Sequence, residues 1–155
     1  DEGSETVMQQ MEEMVRRDIE QCLSINPQFA PAHLALGLYY ANFTTHGFRE
    51  AIQSFTTCIE LVEQSVARGD HRWKSLIPAA LFHRASIHLI DEFAGRNVHS
   101  ALSDYDRAIA LDPQNPLLYQ MRGTLLASEF PDQRERARAD FRMASEITNS
   151  RTHHE

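Results

Sequence analysis

Histidines, cysteines and adjacent carboxylates are the side chains in this 155-residue chain that could hold a metal or move a proton, and eight of them are histidine. His83 and His88 stand five apart, a spacing that does not stack two imidazoles on one helix face as three or four would. No His-Glu-x-x-His run, phosphate loop or nucleophile elbow occurs. His153-His154-Glu155 could grip a metal only loosely, because it sits at a floppy end. Asp91-Glu92 reads as a solvated face or a helix terminus. Cys22 and Cys58 fall at apolar positions of helical patterns, so both read as small buried hydrophobes of a reducing, intracellular and cytoplasmic compartment. Met8, Met11 and Met14 read as core packing, with a free Met-rich contact surface as the alternative. Arg68-Gly69-Asp70 spells an integrin-binding tripeptide, a match too short to carry weight. Together these residues predict no enzyme, no metal and no cofactor, since catalysis needs reactive groups that converge.

Charge and hydropathy narrow the partners. Fifteen basic against 22 acidic residues give a formal charge of -7. Nucleic acid needs a basic footprint for its phosphates, and an anionic membrane surface needs the same. Neither is expected. The longest apolar run, about Leu76 to Phe82, is far short of the roughly 20 residues of a membrane span. No signal peptide is visible. The chain opens on Asp1 without Met, which reads as a segment of a longer protein. Residues 1–150 are expected to form one domain, with 151–155 as a disordered tail.

The elements that would position any site come from an internal repeat. Val15…Asp18-Ile19…Cys22, Ala51…Phe55…Cys58, Ala101…Asp104-Tyr105…Ala108 and Ala137…Asp140-Phe141…Ala144 share one pattern. Each places a slim residue, a bulky one four later and a small one three later on a single helical face. Asn26-Pro27 and Asp112-Pro113 end two of these helices, because proline cannot continue one. The second segment lacks that proline and runs on to a stop near Gly69-Asp70. Ahead of three segments lies a further helix with a small residue at its middle: Gly37, Ala85 or Gly123. A mid-helix glycine costs about 1 kcal/mol against alanine, so a neighbouring helix is expected to approach closely there. Seven helices follow, at about 5–24, 31–43, 48–67, 76–93, 98–111, 116–128 and 133–147. Ser75, Asn97 and Asp132 read as N-caps. The first helix behaves as the second member of a pair.

Leu36-Gly37…Tyr40 with Ala51…Phe55…Cys58, Tyr119…Arg122-Gly123 with Ala137…Phe141…Ala144, and above all Ala101…Tyr105…Ala108…Pro113 resemble tetratricopeptide repeats. The likeness covers about residues 15 to 147. Arg84-Ala85 departs from the usual Leu-Gly or Arg-Gly pair, and His88 stands where an aromatic is common. The resemblance implies an all-α, right-handed superhelix of antiparallel helix pairs, with about three repeats plus an N-terminal helix. It implies a scaffold or adaptor that binds protein in a concave groove lined by the first helix of each pair. That lining is expected to hold Leu34, Leu38 and Asn42, then Phe82, Ser86 and Leu89, then Leu117, Gln120 and Thr124.

Some members of the family clamp acidic chaperone tails with Lys, Asn and Arg on the groove helices. Here the matching places hold Leu34, Leu38, His83, Gln120 and Thr124, so an acidic tail lacks its charged donors. An apolar or amphipathic peptide or helix suits these side chains better. Trp73 is expected either to anchor the long third helix to the next or to serve as an interface hot spot. The alternative within binding is self-association, or a structural segment of a larger repeat protein; a metal-binding enzyme is the remote one.

Overall fold

The computed structural model of the protein describes residues 2–44, 47–90 and 96–152. Seven α-helices and one short 3-10 turn account for the regular structure among them, with no strand. The helices are α1 (Glu2–Ile25), α2 (Ala30–Phe43), α3 (Phe48–Ala67), α4 (Leu76–Ile90), α5 (Val98–Leu111), α6 (Pro116–Glu129) and α7 (Arg134–Thr152). These bounds follow the sequence closely because the stops are local chemistry.

Asn97 caps α5 by accepting a hydrogen bond from the Ser100 backbone N–H at 3.0 Å. Gly69, at φ +88°, ends α3 in the left-handed conformation. Its N–H bonds to Val66 O, and the Asp70 N–H reaches back to Ser65 O, so the last carbonyls are satisfied. The turns with Pro27 and Pro113 are built alike. His33 Nε2 lies 2.8 Å from Pro27 O, and six residues after Pro113 the Tyr119 hydroxyl donates to Pro113 O at 3.2 Å.

Four expectations change. Asp132 lies inside the 3-10 turn Pro131–Gln133 and caps nothing there, because the chain tightens into that turn before α7 begins. Helix α7 continues to Thr152, and the Arg151 guanidinium donates to Gln114 O, so Arg151 and Thr152 are helical, while the rest of the expected tail falls outside the described residues. Cys58 is fully buried, but Cys22 is exposed. Met8, Met11 and Met14 are 65%, 56% and 56% exposed; α1 packs on α2 and buries Ile19 instead. The predicted end of the fourth helix beyond Ile90, Asp91-Glu92 and His153-His154-Glu155 fall outside the described residues.

The chain divides into two compact units, Asp1–Ala80 and Leu81–Glu155, with the boundary inside α4. In the first unit α2 packs along α3, and α1 packs on α2. Phe55 is completely buried, and a methyl group added at Gly37 would sit 2.5 Å from its Cε1 atom. Glycine is therefore what lets the two helices close up. Burial also pushes the Cys58 thiol up to about 11, which keeps it protonated and inert.

In the second unit Ala85, Ala101, Tyr105 and Leu125 form a buried cluster, with Phe82, Leu89, Val98, Leu102, Met121 and Phe130 against it. Helix α6 packs along α7, and a methyl at Gly123 would lie 3.1 Å from Phe141 Cε1. Among the described residues no buried side-chain nitrogen or oxygen lacks a hydrogen-bond partner.

Candidate functional site

The candidate binding residues separate into two sets according to what their own unit does with them. In the first unit Leu34 and Leu38 are half-buried on α2, and Asn42 is exposed one turn on. The Asn42 amide donates to Leu38 O at 2.7 Å, so its donor is already committed to its own helix. On α6 Leu117 is 45% exposed, and Gln120 and Thr124 are exposed. The Thr124 hydroxyl donates to Gln120 O at 2.9 Å. Counting from Gly37 and Gly123, Leu34 matches Gln120 and Leu38 matches Thr124. The same register is thus half-buried leucine on α2 and exposed polar side chain on α6.

Helix α4 behaves differently. Phe82 and Leu89 pack against the buried cluster of the second unit. The Phe82 and Tyr105 rings lie 6.2 Å apart. Ser86 Oγ donates to Phe82 O at 3.0 Å and lies 3.4 Å from the Tyr105 hydroxyl. These three side chains are half-buried, so a charge placed there would strike the core as much as any partner. His83, beside the Phe82 ring at 5.2 Å, has its pKa lowered by burial.

Trp73 is 37% exposed and meets Phe29 edge-on at 5.9 Å. It thus ties the segment between α3 and α4 to the turn before α2. Asp70 of the Arg-Gly-Asp run accepts from the Arg72 guanidinium at 2.8 Å and from the Arg72 N–H at 3.1 Å. That pairing lowers its pKa to about 2. The tripeptide's carboxylate is therefore bound within its own turn.

The sequence reading missed the ionic links between paired helices. Arg84 Nε and Nη2 donate to the Asp104 carboxylate at 2.8 and 2.7 Å. Arg122 makes the same fork to Asp140 at 2.8 and 2.6 Å, and its third nitrogen reaches Asp106 of α5 at 2.7 Å. Arg136 of α7 also pairs with Asp106. Hydrogen bonding to Asp140, then to Asp106, raises the Arg122 pKa despite partial burial. A readable signal existed: each arginine directly precedes the small mid-helix residue, and Asp104 and Asp140 each directly precede the aromatic. In α2 and α3 those places hold Leu36 and Ser54, and a shallow depression bounded by Leu36, Tyr40, Arg49, Glu50, Gln53 and Ser54 lies between the helices.

Among the described residues no group of three or more His, Cys, Asp or Glu is placed to hold a metal ion. No helix among them is long and apolar enough to cross a membrane.

No protein-family model matches this sequence, and no curated protein does. Among solved structures the chain is similar to the crystal structure of MamA, at 16% identity and a TM-score of 0.44 over 98% of this chain and 97% of that one. A likeness that loose carries nothing about activity; the chain is an all-α protein of repeated helix pairs on its own geometry.

Proposed function

We propose that this chain is a protein–protein interaction module of the tetratricopeptide type, which holds an apolar or amphipathic peptide or helix against the first helices of its pairs. One observation carries the reading. On α6 Leu117, Gln120 and Thr124 are exposed, and on α2 Asn42 is exposed beside the half-buried Leu34 and Leu38, while Asn42 and Thr124 each donate a hydrogen bond to their own helix. Leu34, Leu38 and Leu117 present carbon surface there, and an apolar side chain can cover it without stripping a charge of water. Trp73 could add an aromatic anchor beside α2, since tryptophan is enriched at interface hot spots.

The test compares the wild-type chain with a Leu38→Glu/Leu117→Glu variant, both immobilised and both verified as helical by circular dichroism. Leu117 is exposed but Leu38 is half-buried, so only a variant shown to be folded counts in the comparison. A protein retained from lysate by the wild type and lost by the folded variant supports the assignment. Equal retention by both removes these faces as the site.

A further inference from the structure

Helix α1 carries the pattern of a second helix, but its inner positions are uncovered. Aligned on the repeat, Val15, Asp18 and Cys22 correspond to Ala101, Asp104 and Ala108 of α5 and to Ala51, Ser54 and Cys58 of α3. In α5 those three are 0%, 4% and 0% exposed, and in α3 they are 0%, 6% and 0%. In α1 Val15 is 36% exposed, and Asp18 and Cys22 are both exposed. Ile19, the counterpart of Tyr105, is buried, and the Tyr39 hydroxyl of α2 donates to Glu12 at 3.3 Å. Helix α2 therefore covers α1 at Ile19. The places of Val15, Asp18 and Cys22, whose counterparts in α3 and α5 are buried, are left open.

The open stripe is apolar apart from Asp18. Val7, Met11, Met14, Cys22 and Ile25 share one line of the helix with Asp18 among them, and Met8 and Val15 flank it. Val7 is 55% exposed and Ile25 79%. Stripes of this size on a surface mark contact sites, and methionine adapts to varied partners.

We propose that this stripe docks one helix of a partner polypeptide, carrying an arginine directly before a glycine or alanine on its apolar face. The charge pattern identifies the occupant. Asp104 and Asp140, at the register of Asp18, each take a two-nitrogen fork from such an arginine, Arg84 before Ala85 and Arg122 before Gly123. The small residue lets the helix come close enough to cover Val15 and Cys22. A second copy of α1 does not fit this description, because its stripe has an aspartate and no arginine, and closing two of them would strip Asp18 of water without a cation.

The probe is a labelled, end-capped peptide of residues 115–130, which contains Arg122-Gly123, titrated onto the whole chain by fluorescence anisotropy. Binding is expected, with Met14→Glu abolishing it and Asp18→Arg weakening it at least about tenfold. A peptide with Arg122→Asp is expected to bind the Asp18→Arg chain better than the wild type. Both substitutions lie at exposed positions, and circular dichroism checks that the fold is kept. Absence of peptide binding, or binding indifferent to both substitutions, overturns the proposal. Sedimentation is the second readout. A dimer that Met14→Glu dissociates and the peptide does not would make a second copy the occupant and overturn it too.

Discussion

In the pair α2–α3 the residue before the close-contact glycine is Leu36 and the residue before the buried aromatic is Ser54; in α6–α7 the same places hold Arg122 and Asp140. Both pairs close on a glycine facing a phenylalanine, Gly37 on Phe55 and Gly123 on Phe141. The steric contact is common to the two, and the charge is not. Ser54 satisfies itself by donating to Glu50 O at 2.7 Å. Asp140, only 5% exposed at its side chain, depends on Arg122, whose side chain is 13% exposed. The ring fit is likewise unequal. Phe55 is fully buried, whereas Phe141 is 42% exposed. A helix pair of this kind is thus held by close packing, and a buried ion pair can be added to it or left out.

The largest expected effect tests that claim. Arg122→Leu alone leaves Asp140 buried without its cation, while Asp106 keeps Arg136, at a cost of about 3–5 kcal/mol. Adding Asp140→Ser, which transplants the α2–α3 solution, is expected to recover most of that loss, because a buried pair replaced by packed neutral groups is often close to neutral. Urea unfolding of wild type, single and double variants measures it. A double variant as unstable as the single would mean the second unit needs its ion pair.

Next in size is the glycine contact. Gly37→Ala drives a methyl into an immobile ring and is expected to cost about 1–3 kcal/mol. Gly123→Ala meets the exposed Phe141 ring at 3.1 Å and the Ala137 O and Asp140 Cβ atoms at 3.2 Å, looser contacts than at Gly37, and alanine favours the helix by about 1 kcal/mol over glycine, so its loss is expected to be the smaller of the two. Equal losses by thermal unfolding would break the contrast between a sealed and an open aromatic.

The smallest effect concerns pH. Burial holds the His83 pKa below 6.5, so the unfolded chain takes up this proton before the folded one does. The stability tied to neutral His83 is fully present above pH 6.5 and falls as pH drops through the lowered folded value. The melting temperature is expected to decline from pH 7.5 toward pH 5, and His83→Gln to flatten part of that decline. An unchanged slope would show that His83 charges without cost.

Helix positions were legible because their causes are local. Asn97 supplies its own cap, Gly69 takes the left-handed turn, and Pro27 and Pro113 follow helix ends. Gly37 and Gly123 were legible as contact points, because glycine is unfavourable mid-helix unless something needs the space. The candidate binding residues were legible only as a register. That register left Leu117, Gln120 and Thr124 open on α6, but on α4 it ran into the core with Phe82 and Leu89.

Cys22 and Cys58 show where local reading stops. They occupy the same position of the same pattern, and one is exposed while the other is fully buried. Periodicity determines which side chains share a face of a helix. Whether that face is covered depends on a second helix many residues away or on another chain, and only the tertiary structure decides it. The same holds for Asp18 against Asp104 and Asp140: identical residues in identical local settings, of which only the two with an arginine brought across from a neighbouring helix are buried.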